Sequence, residues 1–205
     1  MDEKRQIAIL IAVVFGIAVG AGVLALAVPL VTEGDLVIAD YQATLHRDGT
    51  FSETYLYEVN VPGRYRMLYR YWDDPLALGP LNVPSIEMKG MQVPPQTIGY
   101  IKEYDGTVTT YNGDIGDSAA LIGALAERNE VGIFQPSYFS SGTYQVNYSY
   151  LLHPPLEYDM ASAHLNLKLV GEQHILFRNV TVRVPAEMVE KVYPHPLTLS
   201  KREEG

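Results

Sequence analysis

"DLVIADYQATLHRDGTFSETYLYEVNV", residues 35–61, decides the fold class. Asp48-Gly49 lies at its centre, and glycine tolerates the positive φ that a tight turn needs. On the return run, Tyr55, Tyr57, Val59 and Val61 fall on one face, and Glu58 and Asn60 on the other. A period of two belongs to a strand with one face in a core. The stretch therefore predicts a β-hairpin.

The same period recurs outward from it. "RYRMLYRYW", residues 64–72, sets Tyr65, Met67, Tyr69 and Tyr71 against Arg64, Arg66 and Arg70. A proline-punctuated loop, "DDPLALGPLNVP", leads to a strand near residues 85–93 that Pro94-Pro95 ends, since proline donates nothing to a ladder. "TIGYIKEYDGTVTTY", residues 97–111, is a second hairpin signal, with Asp105-Gly106 at the turn. Ser118 to Asn129 is the one helix candidate: Ser118 can cap it, and Leu121, Ile122 and Leu125 make an apolar side. Three late strands follow at 144–151, 163–170 and 176–184, with Gly171-Glu172-Gln173 as a turn and Pro185 as a stop. Seven to nine short strands with one short helix read as mainly β, an antiparallel β-sandwich of Ig-like architecture without the Cys…Trp…Cys spacing.

Residues 7–31, "IAILIAVVFGIAVGAGVLALAVPLV", carry no charge. About 20 apolar residues cross a hydrocarbon core, so the run predicts a transmembrane helix. Lys4 and Arg5 precede it, and Glu33 and Asp35 follow. The positive-inside bias then gives a single-pass cell-membrane protein: a cytoplasmic N-terminus (1–6), an extracytoplasmic domain (33–185) and a polar tail (186–205). A cleaved signal peptide is the competing reading, with Ala25-Leu26-Ala27 as a small-x-small site, but the run exceeds the roughly 7–15 apolar residues of a signal core. Ala8, Ala12, Gly16 and Gly20 recur every fourth residue, a stripe on which two such helices could pack as a homo-oligomer; that alanine and glycine are common in spans is the simpler reading.

The chain has 205 residues and a formal net charge of −9. That acidity argues against nucleic acid or anionic lipid as a partner. With no cysteine, disulfides, thiolate metal sites and cysteine nucleophiles are excluded. Fifteen tyrosines against five phenylalanines favour strands.

One resemblance emerges from motif order. A span, then "HRDGTFSETYLYE", an arginine-rich strand ending "YRYW", and later "YQVNYSY" and "VTVRVP", resemble the N-terminal extracytoplasmic domain of the DUF2207 family of predicted membrane proteins, in outline over residues 35–185. The resemblance implies a β-sandwich outside the membrane and no established activity. Family members continue into further spans and a cytoplasmic tail.

Residues that could carry chemistry are few. The five histidines form neither H-x-H nor H-E-x-x-H spacing, so no metal centre is predicted from them. Asn112, Asp114 and Asp117 in "YNGDIGDS" are a weak calcium candidate that does not match the EF-hand loop. No G-x-S-x-G elbow or phosphate loop occurs, and no cofactor or catalytic residue is predicted. Arg64, Arg66 and Arg70 with Trp72 could form a cationic, aromatic patch for acidic sugars or carboxylates; an exposed, charge-protected strand face is the simpler reading. Two glycosylation sequons, at Asn147 and Asn179, put their acceptors on the polar parity of predicted strands. The sequence thus points to a membrane-anchored extracytoplasmic module with a structural, adhesive or binding role, or an accessory subunit of a membrane assembly. The alternative is an envelope enzyme acting on surface or cell-wall glycans with carboxylates gathered by the fold.

Overall fold

A computed structural model describes residues 14–19, 34–72, 86–112, 116–152, 156–158, 163–165, 169, 175–185, 187 and 189–191. Residues 14–19 are helical; the rest of the predicted span, with Ala8, Ala12 and Gly20 of the small-residue stripe, lies outside the described residues. Among the described residues no helix is long and apolar enough to cross a membrane.

The leading hairpin forms as its alternation demands. β1 (Leu36–Leu45) pairs antiparallel with β2 (Thr50–Val59), register Tyr41↔Tyr55 and Leu45↔Phe51, with an irregularity between Ile38 and Asp40. Gly49 turns the chain at φ 82°, His46 N–H donates to Thr50 O at 2.8 Å, and Asp48 Oδ1 accepts from Thr50 N–H at 2.9 Å. The second hairpin repeats the device. β5 (Ile98–Lys102) and β6 (Val108–Tyr111) are joined through Gly106 at φ 94°, with Glu103 N–H on Thr107 O and Thr107 N–H on Asp105 Oδ1. Both turns read x-x-Asp-Gly-Thr, and an aspartate that satisfies its own turn fixes them.

The remaining strands complete two sheets. β3 spans Met67–Tyr71, β4 Ile86–Gln92, β7 Glu130–Phe134 and β8 Gly142–Leu152; β11 is Leu176–Phe177 and β12 Val180–Arg183. The first sheet runs β11-β1-β2-β8-β4, with β12 also on β1; the second runs β3-β7-β5-β6. β9 (Leu156–Tyr158) and β10 (Ala163–Leu165) make a separate antiparallel pair. The sheets pack through Leu68, Trp72, Ile101, Val131 and Ile133 on one side and Tyr41, Phe51, Tyr55, Tyr57, Val146, Tyr148 and Tyr150 on the other. The helix α1 (Gly116–Leu125) covers the opposite face of the second sheet, where Ile122 and Ala126 meet Ile98, Tyr100 and Phe134. The layers are therefore sheet, sheet, helix.

Three expectations need correction. β11 and β12 run parallel to β1, so the sheets are not wholly antiparallel, and the last predicted strand is broken at Arg178-Asn179. The immunoglobulin-like arrangement is not found; two sheets of mainly antiparallel pairing are. The helix stops at Leu125 rather than 129, because Lys102 Nζ takes the carbonyls of Gly123 and Ala126 at 2.9 and 2.7 Å and Asn129 turns at φ 56°. The chain then enters β7, which sequence periodicity missed: all five of its residues are buried, so nothing alternates. Of the predicted strand 163–170, residues 163–165 are described as strand.

Gly132 in β7 lets three strands close. A Cβ there would lie 2.6 Å from the Tyr100 hydroxyl oxygen and 2.8 Å from the Leu68 carbonyl oxygen, and the backbone contact cannot swing away. Gly132→Ala is expected to cost about 2 kcal/mol by urea denaturation. Gly90→Ala, where a Cβ meets nothing within 4 Å, should stay within about 0.5 kcal/mol. Equal losses at the two positions would refute the close approach.

Candidate functional site

β2 points Phe51, Glu53, Tyr55 and Tyr57 into the space between the sheets, so a carboxylate sits in an aromatic row. Glu53 is 1% exposed. Such a group is tolerated only when its lone pairs are filled. Tyr41 donates to Oε1 at 2.5 Å and Tyr55 at 3.2 Å, and the Tyr150 hydroxyl donates to Oε2. Arg70, 5% exposed on β3 of the facing sheet, brings Nε to 3.1 Å from Oε1. Its guanidinium also lies 3.5 Å from the Trp72 ring centroid. One ion pair thus bridges the two sheets.

Burial first, and the Glu53 carboxylate second, push the hydroxyls of Tyr41, Tyr55 and Tyr150 well above their usual range. They stay protonated and remain donors. Burial works against the Arg70 charge and is the largest single effect, but Glu53 together with Tyr55, Tyr150 and Tyr41 outweighs it, and the guanidinium is held more firmly charged. A general base needs an accepting lone pair within reach of substrate. Glu53 is instead surrounded by its own donors. A cavity of about 40 Å³ beside Arg70 and Tyr55, flanked by Leu169, Ile175 and Phe177, has room for water but not for a sugar.

A second buried carboxylate ties the helix end to its sheet. Glu130 accepts from Tyr100 at 2.5 Å and from Glu127 N–H at 2.8 Å. Burial raises its pKa, with those hydrogen bonds pulling the other way.

The predicted site residues scatter. Arg64 is exposed and pairs with Asp35, and Arg66 stacks on Tyr138 at 4.3 Å. Arg70 and Trp72 lie inside, so the four do not form the solvent-facing patch that strand alternation suggested. The physical reason is that both faces of β3 are covered: Leu68 and Arg70 face the first sheet, and Met67 and Tyr69 face the helix side. Asn112 takes φ 54° before the helix, Asp117 is exposed in its first turn, and Asp114 lies outside the described residues. Among the described residues, no three His, Cys, Asp or Glu side chains converge to hold a metal. Gly16 sits in the helical segment 14–19, where an added Cβ would meet nothing. Asn147 lies in the central strand β8 with Nδ2 donating to Gln92 at 3.0 Å and Oδ1 buried, whereas Asn179 is exposed at the break between β11 and β12.

The Glu53–Arg70 pair was missed, though a signal existed. Glu53 shares parity with Phe51, Tyr55 and Tyr57, and Arg70 with Leu68 and Trp72. Opposite charges on the apolar parity of two strands are a readable hint of a buried pair.

Removing one partner strands the other charge. Arg70→Met and Glu53→Leu are each expected to cost about 3–5 kcal/mol in chemical denaturation, and the double variant Glu53→Leu/Arg70→Met less than their sum. Additive losses would show that the two do not interact. Glu130 has a raised pKa in the fold, so its contribution is full below the ordinary glutamate value and is lost as pH rises through the raised one. Stability measured against pH should therefore fall for wild type relative to Glu130→Gln across that window. Parallel curves would show that Glu130 does not titrate there.

A family profile described as "Predicted membrane protein (DUF2207) N-terminal domain" matches residues 38–205. No curated protein matches the chain. Among solved structures, the chain is similar to a two-domain M1 zinc metallopeptidase mutant bound to L-tryptophan, at 14% identity over 62% of this chain and 22% of that one, with a TM-score of 0.31. A likeness so shallow says nothing about chemistry. The profile match, by contrast, covers most of the chain, and the protein belongs to the DUF2207 family of predicted membrane proteins.

Proposed function

We propose that the chain is a membrane-tethered, extracytoplasmic β-domain that acts as a structural or binding module, or as an accessory subunit of a membrane assembly, rather than as a glycan-cleaving enzyme. The observation that carries this reading is the use made of the buried carboxylates. Glu53 and Glu130 are the buried acids among the described residues, and each is spent on holding layers together. A glycosidase needs two carboxyl groups facing one cleft roughly 5–10 Å apart. The cavity of about 40 Å³ beside Arg70 offers no such cleft. Recognition would then fall to outer surfaces, with the apolar run 7–31 as the anchor. Of the two sequons, Asn179 is the acceptor we favour: each side-chain amide would give up one bond, to Ala39 O or to Gln92, but Asn179 is exposed whereas Asn147 is half-buried with its Oδ1 enclosed.

The absence of cysteine makes the topology easy to test. In intact cells, a membrane-impermeant maleimide should label Thr107→Cys and leave Lys4→Cys unlabelled until the membrane is broken. The reverse pattern would sink the proposed orientation. Intact mass of the native protein should place any glycan on Asn179 and none on Asn147.

A further inference from the structure

Two loops meet at the end of the domain where the chain enters it. Asn60 N–H donates to Asp35 O at 2.9 Å, and Asn60 Nδ2 to Gly34 O at 3.0 Å. The β2–β3 loop is zipped to the β7–β8 loop through Gly63 N–H on Phe139 O at 2.9 Å and Phe139 N–H on Tyr65 O at 2.9 Å. Both loops expose apolar surface at their tips: Val61 is 38% exposed and Tyr138 40%. Beside them stand Arg64 and Arg66, the latter stacked on Tyr138.

Chain length fixes where this end lies. The apolar run ends at Val31, and the first described residue of the domain is Gly34. Three residues reach about 10 Å at most. If residues 7–31 cross the bilayer, Gly34 and the loops bonded to it stand within reach of the headgroup layer.

We propose that this loop pair seats on the phospholipid surface, with Val61 and Tyr138 entering the interface, Arg66 bracing the Tyr138 ring and Arg64 meeting headgroup phosphate. The inference rests on the anchored reading above. An amphipathic aromatic and a short aliphatic beside guanidinium groups are what an interface accepts, because apolar bodies dip while polar tips stay wet. Arg66 is half-buried, with its Nε enclosed and its face on the Tyr138 ring, so headgroup phosphate falls to Arg64, whose side chain is 61% exposed beside its pair with Asp35. Tyr138 adds a second observation. It holds φ 65°, a backbone region costly for a side-chain-bearing residue and easy for glycine. The domain's net acidity opposes anionic lipid, so the occupant is the zwitterionic phospholipid surface, read through its phosphates and its apolar layer.

The test uses the full chain in phosphatidylcholine nanodiscs, with one fluorophore on Ser137→Cys or, at the opposite end, on Thr107→Cys. Lipid-borne quenchers should quench the label at 137 several-fold more than the label at 107. Tyr138→Gly, which relieves the backbone, should keep or raise thermal stability while lowering quenching at 137; Val61→Asp should lower it further. Equal quenching at 137 and 107 in a chain that co-elutes with the discs would overturn the docking while leaving the anchor intact. A chain that fails to enter the discs overturns the anchor and the docking together, and co-elution tells the two failures apart.

Discussion

The ion pair between Glu53 and Arg70 ties together the two sheets that a shared apolar core joins. The strands contributing it, β2 and β3, belong to different sheets and hydrogen-bond to different neighbours. Hydrophobic contact alone would let a tyrosine-rich face slide on a largely aliphatic one, because burial has no direction. A charge pair with three phenolic donors has one satisfied geometry. Its cost is desolvation of two ions, and the tyrosines offset it by filling the lone pairs that Arg70 leaves. Three tyrosines serve it, and phenylalanine at 41, 55 or 150 would have left part of the carboxylate bare.

The helix layer repeats this logic at smaller scale. Lys102 closes the carbonyls at the end of α1, and Glu130 closes an amide just beyond it, so adjacent strands supply opposite charges to one helix terminus. Both side chains reach from β5 and β7, which pair Lys102 with Glu130 in register. The turn from helix to strand is thereby fixed by residues the sequence keeps far apart.

Much of this was legible from periodicity. The leading Asp-Gly hairpin and the strand at 144–151 alternate cleanly, because each has one face on the core and one outside, whereas the second hairpin was legible from its turn, since β5 is covered on both faces. β7 was invisible because its five residues are all buried and carry no period. The parallel pairing of β11 and β12 was invisible because register with β1 is a tertiary choice. Arg70 was misplaced for an instructive reason. An arginine in an alternating strand is normally read as its solvent face, and here it marks the face turned to another sheet's carboxylate. The site's chemistry was therefore hidden by the expectation that charge means water.

The paired turns have a consequence for the pole opposite Gly34. Backbone amides of Thr50 and Thr107 hold the carboxyls of Asp48 and Asp105 below the usual carboxylate range. Both amides belong to the turns that close β1–β2 and β5–β6. That pole consequently keeps its negative charge in acidic surroundings that would neutralise a free aspartate. Its shape is held by the same bonds, so charge and form are lost together or not at all. Those two carboxylates stand beside Arg47 and Arg128, so what persists into acid at that pole is a fixed pattern of both signs.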